Sequence, residues 1–264
     1  MDWWPAYLAI GALVGFFAGL LGIGGGMMLV PMLVFVFKAK GFAPEHLVHM
    51  ALATAMATVP FTSAASVRAH HANGGVDWSI VLGMLPGLAV GALLGAIAAG
   101  HVPGRPLAIF FTAFVLYSGV GMFRASKPKP SRRLPGRAGL ACVGAGVSFL
   151  SSFLAAGAAF LTVPFMTWCN VPIRRAIGSA AAIGFPLALA SSAGYVWSGS
   201  RAEGLPTASL GFVYLPALGL IVATSVLTAP FGARLTQRVP VARLKQVFGL
   251  MLFGLAAAML SRIW

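Results

Sequence analysis

The chain has 264 residues, of which 59% are hydrophobic and only 8% charged, with a mean hydropathy of +0.92. A soluble domain carries about 25% charged residues, so this composition excludes a soluble core and indicates one polytopic helical membrane domain. The net charge of +14 does not indicate nucleic acid, because the basic residues lie in short loops between apolar runs, where they set topology and meet anionic lipid.

The alternating pattern of an outer-membrane barrel is absent. Only Asp2 precedes the first apolar run, so residues 6–21 read as a retained helix and not as a signal peptide. Further apolar segments follow at 27–37, 47–67, 78–99, 107–123, 138–154, 158–169, 176–197, 208–230 and 246–263. As helices, 27–37 and 158–169 reach only about half the hydrocarbon thickness. Each follows a break of small residues. The first break, Gly22 to Gly26, is crowded with glycine, which costs about 1 kcal/mol per residue in a helix interior relative to alanine. Non-helical backbone at membrane depth is tolerated only where protein or a cavity surrounds it. The expectation is therefore two half-helices with an unwound turn facing a polar pathway.

The second break exposes an internal repeat. Val30-Pro31 aligns with Val163-Pro164, Gly11 with Gly144, Leu21 with Leu154 and Gly24 with Gly157. Ala53-Thr54-Ala55 then falls on Gly178-Ser179-Ala180, and Pro60 within one residue of Pro186. Met84-Leu85-Pro86 is paired with Tyr214-Leu215-Pro216, and Val102-Pro103 with Val239-Pro240. The expected organisation is one transport domain over 1–264. Repeat 1 covers 1–123, a basic linker 124–137, and repeat 2 138–264.

Charge orients the halves. If each broken segment crosses once, Lys and Arg divide evenly between the two sides. If each turns back as a hairpin, one side carries Arg68, the linker cluster, Arg174, Arg175, Arg234, Arg238, Arg243 and Lys245. The other side then carries only Lys38, Lys40, Arg105, Arg201 and Arg262. The positive-inside rule selects the hairpins. It makes the repeats inverted, with both termini outside and linker 124–137 in the cytoplasm. The expected fold class is all-α, with two inverted repeats, each a glycine-rich broken or re-entrant hairpin plus three transmembrane helices. That gives about 8 to 10 membrane segments.

Residues 19–33, GLLGIGGGMMLVPML, resemble the signature of the TauE/SafE sulfite exporter family, also called the toluene-sulfonate uptake permeases. The resemblance spans the chain, because that family also has two related halves. The second motif, Phe153-Leu154-Ala155-Ala156-Gly157-Ala158-Ala159, keeps one glycine where the family commonly has several. The resemblance implies transport of small sulfur-containing anions such as sulfite or organosulfonates, often outward, in a bacterial-type inner membrane.

A permeating anion needs donors and partial positive charge, which the N–H groups of a half-helix N-terminus supply. Gly24, Gly25 and Gly26 precede the half-helix near Met27, and Gly157 holds the matching place in the second half. Glycines that only allow close packing are the plainer alternative. Thr54 and Ser179 occupy equivalent places on the helix after each break. Thr58 lies one turn beyond Thr54, and Ser151 and Ser152 lie just before the second break. All five hydroxyls either serve the pathway or bond within and between helices. Arg175, one turn before Ser179, either gathers anions at the inner mouth or snorkels to lipid phosphate.

The four acids, Asp2, Glu45, Asp77 and Glu203, all fall near loops or ends. Coupling through a buried carboxylate is therefore not expected. Outward movement of an anion from a negative interior gains about 2.3 kcal/mol per charge per 100 mV. His46 and His49 are one helical turn apart without a third ligand, so metal is not expected, though a proton-sensitive role for His49 is open. Cys142 and Cys169 form no CxxC, and Trp3, Trp4, Trp78 and Trp264 read as interface anchors. No motif of an enzyme or redox conduit is present and no cofactor is implied. The expected partners are a small anionic substrate, the lipid bilayer and a possible second copy of the chain. An anion channel, a transporter of an unrelated small organic anion and an assembly partner for another complex are the competing functions.

Overall fold

The computed structural model describes residues 3–21, 25–123, 132–236 and 241–263. Gly24 and linker residues 124–131 lie outside them. The chain forms α1 (Trp4–Leu21), α2 (Gly26–Ala39), α3 (Leu47–Ala72), α4 (Trp78–His101) and α5 (Gly104–Phe123). The second half forms α6 (Arg137–Leu154), α7 (Ala159–Trp168) and α8 (Ile173–Gly199). A two-stranded hairpin, β1 (Ser209–Leu210) and β2 (Val213–Tyr214), precedes α9 (Leu215–Thr236) and α10 (Val241–Ile263). The protein is all-α and polytopic. Among the described residues, 6 helices are long and apolar enough to cross a membrane.

Both broken segments turn back. Lys40, at the C-cap of α2, lies 5.6 Å from the ring of Tyr7 in the first turn of α1. A continued α2 of 14 residues would carry Lys40 about 20 Å further away along the axis. In the second half, Arg132 precedes α6. Its N–H donates to Trp168 O, at the end of α7, at 3.3 Å, and its guanidinium lies 4.9 Å from the Trp168 ring. Asn170 Nδ2 donates to Arg132 O at 3.2 Å. A cation over an aromatic ring thus closes the open end of each hairpin.

The halves interlock reciprocally: α1 packs along α9, and α6 along α4. Glycines at four-residue steps make both contacts possible. A Cβ at Gly11, Gly15 or Gly19 would collide with the α9 backbone at Ile221, Ser225 and Ala229. A Cβ at Gly87, Gly91 or Gly95 would meet the α6 backbone at Ala141, Ala145 and Phe149. Small residues of this kind let membrane helices approach where no hydrophobic force distinguishes helix from lipid.

The contacts correct one sequence pairing. Gly11 meets Ile221, and its counterpart Gly144 meets Met84. The equivalent of Met84 is therefore Ile221 and not Tyr214, the same offset that pairs Val102-Pro103 with Val239-Pro240. The expected helix over 208–230 is also corrected, since its start is the β-hairpin. Gly211 turns the hairpin with φ +54° and packs against the Val196 backbone. Continuous apolar character does not separate a short buried strand from helix.

Candidate functional site

The two breaks meet inside the molecule. α2 starts at Gly26, which is buried. A Cβ on Gly26 would strike the carbonyl oxygen of Ala155, the residue that ends α6. Ala155 adopts φ +42°, a left-handed conformation that costs an alanine about 1 kcal/mol. That turn reverses the chain, and α7 begins four residues later at Ala159. Ala155, Ala156 and Ala158 are buried, and Gly157 O accepts the Phe160 N–H at 3.3 Å. Gly25 is held against Val14 of α1. Pro31 and Pro164 fall at the same step of the two short helices.

Ser151 sits one turn before this break. It is fully buried, and its hydroxyl has no hydrogen-bond partner. A buried hydroxyl left unpaired costs about 1–3 kcal/mol, so its retention here calls for a ligand or a water. At the break one turn beyond it, two short-helix N-termini, at Gly26 and Ala159, present positive dipole ends. Among the described residues no carboxylate stands against them and no group of three metal-ligating side chains occurs. The chemistry available is weak, preorganised donation to an anion, without a charged side chain to trap it.

The other predicted hydroxyls are engaged. Thr54 Oγ1 accepts the Tyr214 N–H at 3.0 Å, and Ser179 Oγ accepts the Asp77 N–H at 2.8 Å. Tyr214 and Asp77 each immediately precede the fourth helix of the opposite half, so equivalent residues make equivalent bonds across the molecule. Thr58 Oγ1 bonds back to Ala55 O at 2.7 Å. Ser152 Oγ lies 2.7 Å from Ser191 Oγ, 3.0 Å from Ala92 O and 2.9 Å from Ser148 O. Tyr195 Oη donates to Ser152 O at 2.8 Å. This knot binds α4, α6 and α8, and nothing in the sequence marked Ser191 or Tyr195 as its members. Arg175 is exposed at the start of α8. Gly25, Gly26 and Gly157 therefore lie at the paired breaks, with Ser151 and Ser152 in the turn before the second, while the hydroxyls of Thr54, Thr58, Ser152 and Ser179 already have protein partners.

Among the described residues, His46 and His49 have no third ligand beside them. His49 stacks on Phe212 with centroids 5.1 Å apart. Its ring nitrogens face Glu45 O at 3.1 Å and Val102 O at 2.8 Å.

Two broken hairpins meeting tip to tip inside a polytopic helical bundle are an arrangement that membrane transporters use. The chain belongs to the sulfite exporter TauE/SafE family, whose model matches residues 7–259. It is 34% identical to a probable membrane transporter protein of Haemophilus influenzae, over 96% of each chain. It is 24% identical to a probable membrane transporter protein of Methanocaldococcus jannaschii, over 89% of this chain and 87% of the other. A third relative, the probable membrane transporter protein YdhB of Bacillus subtilis, is also 24% identical, over 88% and 90%. No solved structure matches the chain. The relatives are named as transporters and not as enzymes.

Proposed function

We propose that this protein carries small sulfur-containing anions, sulfite or simple organosulfonates, outward across a bacterial-type inner membrane. The two halves are inverted, with termini outside and the linker in the cytoplasm. They alternate access to the paired breaks. The observation that carries the reading is the unpartnered, fully buried Ser151 hydroxyl, one turn before the break where two short helices begin. A sulfonate oxygen accepts from that hydroxyl and from first-turn amides. The family's description names sulfite export and supports the ligand class.

The test is efflux from proteoliposomes loaded with radiolabelled sulfite or methanesulfonate, with a potassium-diffusion potential set negative inside. The expected result is potential-accelerated efflux by the wild type and loss in Gly25→Leu and Ser151→Ala. Counterflow from the outside separates a carrier from a pore, since only a carrier exchanges. A folded wild type that moves neither anion overturns the reading.

A further inference from the structure

We propose that Lys40, Tyr7 and Tyr214 form a second oxyanion-binding site, at the open end of the α1–α2 hairpin. It takes the ligand class of the transport reading, on which it rests, and presents sulfite or a sulfonate to the pathway at the mouth opposite the linker.

The argument starts from where Lys40 puts its charge. A lysine that only anchors topology sends its ammonium to water or lipid phosphate. Its neighbour Lys38 is exposed, but Lys40 turns inward. Its Nζ lies 4.9, 5.4 and 5.6 Å from the ring centroids of Tyr214, Phe42 and Tyr7. It also donates to Tyr214 Oη at 2.9 Å. No carboxylate among the described residues pairs with it. Ring faces hold an ammonium without neutralising it, and Tyr214 takes only one of its three N–H donors. The two others remain for a ligand.

A second observation points the same way. Tyr7 is only 2% exposed, and its hydroxyl has no partner. Buried tyrosine hydroxyls usually find one. Its ring lies 6.4 Å from that of Tyr214 and 5.6 Å from Lys40 Nζ, so the tyrosine that carries the orphan hydroxyl belongs to the same cluster as the ammonium. The cluster is rigid: Phe42 stacks on Phe37 at 5.0 Å and meets Tyr214 edge-on at 5.2 Å. The corresponding pair at the other hairpin, Arg132 over Trp168, has no orphan hydroxyl beside it among the described residues. The site is also tied to the body of the transporter, because Tyr214 bonds Thr54 through its N–H.

The experiment is calorimetric titration of purified full-length protein with methanesulfonate and, separately, sulfite, alongside efflux from proteoliposomes. Lys40→Met keeps the apolar stem over the rings and is expected to weaken binding at least about tenfold, the effect of removing a charged donor. Tyr7→Phe removes only the orphan hydroxyl, leaves the packing intact and is expected to weaken binding about threefold. Lys38→Met, removing an exposed charge nearby, is expected to change it less than about twofold. Wild-type transport together with wild-type binding by Lys40→Met and Tyr7→Phe overturns this site and keeps the transport reading. An equal loss in Lys38→Met also overturns it, because a diffuse field then explains the effect. Binding that needs Lys40 and Tyr7, without transport, keeps the site and overturns the transport reading. A wild type that binds neither anion overturns the site.

Discussion

The α1–α2 and α6–α7 hairpins make the same reversal from different residues. The first break is glycine-rich, and its returning helix runs 14 residues with most of its length buried. The second reverses at an alanine forced to φ +42°, and its returning helix runs 10 residues with only Thr162 and Met166 fully buried. Glycine is therefore not what the turn itself demands, since Ala155 makes one without it. It is needed where backbone meets backbone, as at Gly26 against the Ala155 carbonyl. The two breaks have divided the work: one supplies the space, and the other supplies the surface that fills it.

Gly26→Ala breaks this division most severely. The added methyl has no flexible side chain to displace, only a carbonyl oxygen. Overpacking of this kind costs about 1–3 kcal/mol, and separating the tips is expected to abolish anion efflux. Proteoliposome flux and thermal unfolding in detergent measure both. Wild-type flux in this variant would detach the tips from the pathway.

Much of this arrangement was legible in the chain, for physical reasons that are local. Glycines and prolines inside apolar runs mark breaks wherever they occur, so the two short helices could be read. The parity of Lys and Arg predicted that both segments turn back, and Lys40 beside Tyr7 and Arg132 beside Trp168 bear that out. The hydroxyls were not legible, because a serine on a helix bonds as readily to its own carbonyl as to a ligand. Ser151 and Ser152 are neighbours, yet one is orphaned and the other bonded three ways, and only packing separates them. The Lys40 cluster was hidden for another reason. Its rings come from Tyr7, Phe37, Phe42 and Tyr214, which no window of sequence contains together.

That pair of serines gives the next contrast. Ser152→Ala removes the centre of the knot joining α4, α6 and α8 and leaves Ser191 without its closest partner. The expected loss is about 1–3 kcal/mol of stability. Ser151→Ala removes an unsatisfied group, so stability is expected to hold or rise while efflux falls at least about fivefold. Measuring unfolding and flux on both variants sharpens the comparison. A stability loss in Ser151→Ala would reveal a hidden structural partner.

The equivalent hydroxyls Thr54 and Ser179 test the two halves against each other. Thr54→Val and Ser179→Ala each leave a backbone N–H without its acceptor. The Tyr214 N–H bond is fully buried, whereas the Asp77 bond is partly open. Water can replace the lost acceptor at Asp77 but not at Tyr214. The expected costs are about 1–2 kcal/mol for Thr54→Val and under about 1 kcal/mol for Ser179→Ala, read from thermal or denaturant unfolding of the two purified variants. Equal costs would mean that both sites are equally dry.

The smallest effect belongs to Ala155→Gly. The left-handed backbone favours glycine by about 1 kcal/mol, while losing a buried methyl costs about 0.8 kcal/mol. The two nearly cancel, so unfolding is expected to shift by less than about 1 kcal/mol in either direction. Flux responds differently, because Ala155 O lies against Gly26 and a glycine at 155 frees that turn. If the second break serves only as a rigid surface for the first, a looser turn slows efflux without changing stability. Unchanged flux would show instead that the Gly26 contact alone sets the geometry, and that the second hairpin tolerates at its tip the glycines that the first requires.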